Sequence, residues 1–144
     1  MYQIGGTLAL QAEGIRTTLI FCTSGNARPI TSPELAMCEN LGEIREREQG
    51  AAMARLGVAQ STDVRFLPTP DYYLPDVTFE ELVDEIEMVL REVRPHVIVT
   101  FGPDGLTSHH DRIRTGAAGT EAFHGARSAV RPLTVPSSVS TTRP

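Results

Sequence analysis

His96–Arg114, HVIVTFGPDGLTSHHDRIR, is the stretch on which the reading of this chain turns. Val97-Ile98-Val99-Thr100-Phe101 is apolar and β-branched, the composition of a buried strand. Gly102-Pro103-Asp104-Gly105 then turns the chain, and His109, His110 and Asp111 stand where a helix begins. Ionisable side chains at the carboxyl end of a strand occupy the position where open α/β sheets carry their sites.

Working outward from this stretch, the chain alternates helices and strands. Thr7–Glu13 reads as a short helix closed by Gly14, and Thr17–Cys22 as a continuous apolar strand followed by a turn at Ser24-Gly25-Asn26. A long helix is expected from a Ser32 cap and Pro33 to Gly57, with Leu41, Ile44, Ala52 and Leu56 on its inner face. Val64–Leu67 is a short strand ended by Pro68 and Pro70. Thr78 and Glu81 form a capping-box pattern, and Phe79, Leu82, Val83, Ile86, Leu90 and Val93 recur at helical spacing until Pro95. The last helix is expected over Asp111–Phe123, burying Ile113, Ala117 and Phe123. Such alternation predicts an α/β fold, a mostly parallel sheet with helices on both faces.

The first helix has no strand before it, so the fold is expected to lack its first strand and its C-terminal part. Residues 1–130 form the expected domain. The tail 131–144, rich in Pro, Ser and Thr and without periodicity, is expected to be disordered. Uncovered sheet edges predict self-association.

Composition narrows the function. The 144 residues suffice for one domain with a real core, and the net charge of −5 gives nucleic-acid binding little electrostatic support. The opening Met1-Tyr2-Gln3-Ile4 lacks the basic and apolar regions of a signal peptide, and no run reaches membrane-spanning length, so a cytoplasmic location is expected. Cys22 and Cys38 are too few and too far apart for a disulfide framework or a metal knuckle. No GxGxxG, GxxxxGK[ST] or GxSxG occurs, which leaves nucleotide binding and serine-elbow hydrolysis without a motif.

The candidate site residues are His109 and Asp111 for catalysis, with Ser24, Asp71 and Asp104 for substrate. All follow strand ends. Each also has a structural alternative. Ser108 or Asp111 can cap the last helix with the histidines in a polar loop, and Asp71 and Asp104 can serve turns. Imidazole and carboxylate suit zinc, yet adjacent residues rarely share an ion, and Arg112 brings a permanent cation beside them. His96 and His124 read as structural.

Four segments, Gly5–Ala9, Phe21–Gly25, Arg45-Glu46 through Ala54–Val58, and Arg94–Gly105, together resemble the LmbE-like or PIG-L family of zinc-dependent de-N-acetylases. The resemblance runs from about Gly5 to Phe123 and implies a Rossmann-like three-layer sandwich. It also implies hydrolysis of the N-acetyl amide of N-acetylglucosamine-containing substrates. The family's first strand ends in His-Pro-Asp-Asp-Glu, carrying two zinc ligands and the general base; this chain has Met1-Tyr2-Gln3-Ile4 there. The later family motif His-Pro-Asp-His falls on His109, His110, Asp111 and Arg112. By resemblance His109 stabilises the oxyanion and Asp111 supports it, while Arg112 replaces the third zinc ligand. The expectation is a family that uses zinc and a chain that, as given, binds none, with a small amino-sugar conjugate as its partner. The other readings are a non-catalytic sugar- or protein-binding domain, and a truncated product without activity.

Overall fold

A computed structural model describes residues 15–25, 40–57, 62–69 and 74–126. The expected first helix at Thr7–Glu13, the Ser32 cap with Pro33, Cys38, Asp71 and the tail 131–144 lie outside the described residues.

The described elements are β1 (Thr17–Phe21), α1 (Leu41–Arg55), β2 (Thr62–Phe66), a single 3-10 turn at Leu74–Asp76, α2 (Phe79–Val93) and α3 (His110–Gly125). β1 and β2 pair in parallel, Leu19 opposite Val64 and Phe21 opposite Phe66, and Leu67 N extends the pairing to Phe21 O at 2.8 Å. The Phe21 and Phe66 rings stack with centroids 5.0 Å apart.

Alternation along β1 sorts the layers. Leu19, with Val64 of β2, packs against the buried Met53 of α1. Ile20 packs on the opposite face, against a core built from Cys22, Leu67, Leu74, Leu82, Ile86, Leu90, Ala118 and Ala122. The order α1, sheet, then α2 with α3 is the expected three-layer α/β arrangement, here around a two-stranded parallel sheet among the described residues.

α2 forms where its sequence says it should. The Thr78 hydroxyl accepts from Glu81 N at 3.2 Å, and the Glu81 carboxylate accepts in return from Thr78 N at 3.1 Å. This capping box satisfies amide donors that the first turn would otherwise leave open. Leu82, Ile86, Val89 and Leu90 are buried on one stripe, and Arg94 ends the helix in the left-handed region. Arginines clamp α2 to its neighbours. Arg65 of β2 holds both carboxylate oxygens of Glu92 at 2.8 Å. Arg91 pairs with Glu87 and reaches Gly125 O, and Arg114 of α3 donates to Val77 O and lies over the Phe79 ring.

Three expectations need correction. Val97–Phe101 joins no ladder with any described residue, so the third strand is absent among them. High β-propensity does not make a strand without a partner at the right distance. Ile98 packs on the core, while Val97 is 62% and Val99 79% exposed. Second, α3 buries Gly116, Ala118, Gly119 and Ala122 rather than Ile113, Ala117 and Phe123. Backbone approaches so closely that a Cβ on Gly116 would lie 2.5 Å from Phe101 O. Small residues therefore take the contact face, and the larger side chains are left at its margins. Third, α3 begins one residue early, at His110, because neither Ser108 nor Asp111 is its cap.

Candidate functional site

The cap of α3 is His109. Its Nδ1 accepts from Asp111 N at 3.3 Å, and its carbonyl accepts from Arg112 N and Ile113 N at 3.0 Å. An Nδ1 that accepts carries no proton, so in the neutral ring the proton resides on Nε2. The imidazole is thereby oriented by the helix terminus and keeps one N–H as a donor.

The preceding loop is tightly wound. Gly105 N donates to Gly102 O and Ser108 N to Asp104 O, both at 2.9 Å, and Asp104 Oδ1 accepts from Leu106 N at 3.2 Å. Gly105, Leu106 and Ser108 all have positive φ. Only glycine adopts that region freely. At Gly105 a side chain is also excluded by space, since a Cβ would sit 2.9 Å from Ile113 N. Leu106 and Ser108 hold the same region at a steric cost, offset by the bonds around them.

At the carboxyl end of β1, Cys22 meets α2 and α3. Burial pushes its thiol up from the ordinary value; the Thr115 hydroxyl, bonded to the sulfur, pulls it partly back, and the negative charges of Glu85 and Asp111 push it further up. Cys22 is thus a poor nucleophile. Asp111 is 8% exposed beside it. Glu85 Oε2 is buried and has no hydrogen-bond partner among the described residues. Ser24 lies two residues beyond Cys22, half-buried at the same strand end. The fold therefore brings the β1 terminus to the first turns of α3, where His109 and Asp111 stand. Asp104 is exposed on its turn, and Asp71 lies outside the described residues.

Sequence reasoning missed Thr107 and Phe101. The Arg112 guanidinium donates to Thr107 Oγ1 at 2.8 Å and lies over the Phe101 ring at 5.9 Å. The spacing of Phe101, Thr107 and Arg112 follows no period, so only the folded loop reveals their contact. Their arrangement also tests the fit of a zinc ion. His109 commits Nδ1 to the helix cap, and the next position along the helix that resemblance would make a ligand is a cation fixed in place. Among the described residues no three His, Cys, Asp or Glu converge on a point that could hold a metal. The described residues do not fit a zinc site.

The fold places the chain among layered α/β sandwiches with a parallel sheet, and comparison with known proteins is more specific. The family profile described as PIG-L, GlcNAc-PI de-N-acetylase, matches residues 1–123. This chain belongs to the PIG-L family. A 1D-myo-inositol 2-acetamido-2-deoxy-alpha-D-glucopyranoside deacetylase of Thermobispora bispora is 35% identical over 143 residues, covering 84% of this chain and 46% of that protein. A deacetylase of the same name from Streptomyces avermitilis is 34% identical over 151 residues, covering 89% of this chain and 50% of its own. The chain thus spans about half the length of these curated relatives. Among solved structures, GalB, the 4-carboxy-2-hydroxymuconate hydratase of Pseudomonas putida KT2440, superposes with a TM-score of 0.66. It covers 92% of this chain and 56% of its own at 22% identity, a likeness of fold alone. No helix among the described residues is long and apolar enough to cross a membrane.

Proposed function

We propose that the site descends from zinc-dependent hydrolysis of the N-acetyl amide of an N-acetylglucosamine-containing substrate, and that in this chain as given hydrolysis is impaired or lost while recognition of an amino-sugar conjugate remains. The relatives' names support the substrate class. The observation that carries the loss is Arg112, bonded to Thr107 and stacked on Phe101 where the family motif has its third ligand.

Magnitudes decide between recognition and turnover. When bound, zinc supplies a hydroxide nucleophile near neutral pH and polarises the carbonyl. What this chain's own residues offer is smaller. His109, held by its Nδ1, presents Nε2–H as a donor to a developing oxyanion, and Asp111 N fixes the ring that makes that donation. One such donor contributes about 3–4 kcal/mol. Enzymes supply about 8–23 kcal/mol overall, so the donor alone does not sustain turnover. Ser24, Asp71 and Asp104 are the proposed sugar contacts, with Ser24 just beyond β1 and Asp104 in the turn before α3. The free thiol of Cys22 is in keeping with the cytoplasm as the setting.

The test combines two readouts on the chain with added zinc. Release of a primary amine from the N-acetylglucosaminyl inositol conjugate is expected to stay at background, and desalted protein is expected to retain no stoichiometric metal. Amide resonances of Ser24, Asp104 and His109 are expected to shift on titration with the conjugate. One retained zinc per chain, together with amine release abolished by His109→Ala, would overturn the proposed loss. Absence of any shift at the three residues would overturn recognition.

A further inference from the structure

Arg112 stands in the first turn of α3 and reaches back to the loop that precedes the helix. Its guanidinium donates to Thr107 Oγ1 at 2.8 Å and lies over the Phe101 ring at 5.9 Å. It therefore touches the residue that enters the loop and one near its close. The loop needs such a hold. Leu106 and Ser108 sit at φ of 66° and 55°, a region that residues with a Cβ enter at a steric cost. The bonds donated by Gly105 N, Leu106 N and Ser108 N all stay within Gly102–Ser108. They wind the loop without tying it to the helix. Among the described residues, Arg112 supplies the side-chain hydrogen bond from α3 to this loop. Asp104 depends on the winding, because its carbonyl accepts from Ser108 N and its carboxylate from Leu106 N. His109 follows Ser108 directly.

We propose that Arg112 is a positioning residue for ligand recognition: it latches the strained Gly102–Ser108 loop onto α3 and so sets the places of Asp104 and His109. This rests on the recognition of an amino-sugar conjugate proposed above. A guanidinium suits the task, since its flat face stacks on Phe101 while a nitrogen at its edge donates to Thr107. The helix position that by resemblance would carry a metal ligand thus acts through the loop and not on a reacting atom. The latch offsets the steric cost at Leu106 and Ser108, so removing that cost should make the latch dispensable.

NMR of the full chain tests this, with backbone shifts of Leu106 and Ser108 reporting φ and amide exchange reporting opening. Arg112→Met keeps an unbranched side chain and removes the donor and the charge. One hydrogen bond and one cation–π contact bias the loop about tenfold, so exchange at Leu106 and Ser108 is expected to quicken about tenfold and conjugate binding to weaken by a similar factor. Thr107→Val removes the acceptor alone, at an exposed position, and is expected to give about a threefold effect on both. The amides of Leu82 and Leu90 in α2 are expected to stay as in wild type. Adding Ser108→Gly to Arg112→Met is expected to restore slow exchange at Leu106 and most of the affinity. Leu106 and Ser108 resonances that do not move in Arg112→Met overturn the proposal. Lost affinity with the loop unchanged places Arg112 on the ligand itself and overturns it too. Faster exchange that spreads to Leu82 and Leu90, without rescue by Ser108→Gly, makes Arg112 a general stabiliser and likewise overturns it. A wild-type chain with no affinity for the conjugate sinks recognition, while the loop measurements decide the latch separately.

Discussion

α2 and the segment from Val97 to His109 both meet α3, yet they are organised on different terms. α2 satisfies its own first turn, buries a continuous stripe and is tied at both ends by arginines. The Val97–His109 segment joins no ladder with described residues, exposes two valines and holds two non-glycine residues at positive φ. The core half of the domain is thus built as a stable α/β layer, whereas the half that carries the site conforms to its surroundings. Fold and activity are supported by different residues, so a chain can keep the first while losing the second.

The largest difference is expected in stability. Leu82 is completely buried at the centre of the core, and Leu82→Ala is expected to cost about 2–5 kcal/mol in urea denaturation. Val99 is 79% exposed, and Val99→Ala is expected to change stability by less than about 0.5 kcal/mol. Equal costs at the two positions would erase the contrast between the halves.

The next comparison lies at the seam, along the glycines of α3. A Cβ on Gly116 meets backbone, Phe101 O at 2.5 Å, whereas a Cβ on Gly125 meets the Glu87 carboxylate at 2.6 Å, the end of a movable side chain. Gly116→Ala must therefore push the Phe101 segment away from α3, at an expected cost of about 1–3 kcal/mol. Gly125→Ala is expected to shift Glu87 and stay within about 0.5 kcal/mol of wild type. Amide chemical shifts from Val97 to His109 should move in the first variant and not in the second. If Gly116→Ala proves neutral, the segment is not held by α3 as described.

The sequence made the two halves legible to different degrees. α2 was readable because the capping pair Thr78 and Glu81 and the spacing of Leu82, Ile86 and Leu90 are local signals that the tertiary structure leaves intact. Val97–Phe101 has an equally clear local signal, but a strand is a relation between two segments, and composition reports only one of them. The inner face of α3 is not legible in the sequence because Gly116, Ala118, Gly119 and Ala122 carry little hydrophobic signal; the closeness of the neighbouring backbone selects small residues there. His109 as a cap was invisible because imidazole is not among the usual capping side chains. The same residue is the candidate for chemistry, and its structural duty is what fixes the ring. The clamp of Arg112 on Thr107 and Phe101 joins positions with no regular spacing, so it emerges only once the loop is wound.

The smallest expected effect tests the self-sufficiency of α2 itself. The Thr78 hydroxyl and backbone N–H both donate to Glu81, and together they hold its carboxyl below the usual glutamate range. A carboxyl whose value is lowered on folding stabilises the native state above its unfolded value, and that contribution disappears as pH falls through the lowered one. The capping box should therefore be intact at neutral pH and fail only in acid, beginning below about pH 4.3, the ordinary glutamate value. Thr78→Ala removes the hydroxyl from both sides of the box and is expected to cost about 1 kcal/mol at pH 7. Its Glu81 should titrate closer to the ordinary value, so the variant and wild type should converge in stability as pH drops. Carboxyl titration followed by NMR, paired with denaturation at several pH values, reads both quantities. A stability difference that stays constant from neutral to strongly acidic pH would mean that Thr78 acts through packing alone. In that case α2 would owe its start to the neighbouring Val77 and Arg114 contact rather than to its own first turn, and the contrast with the loop half would narrow.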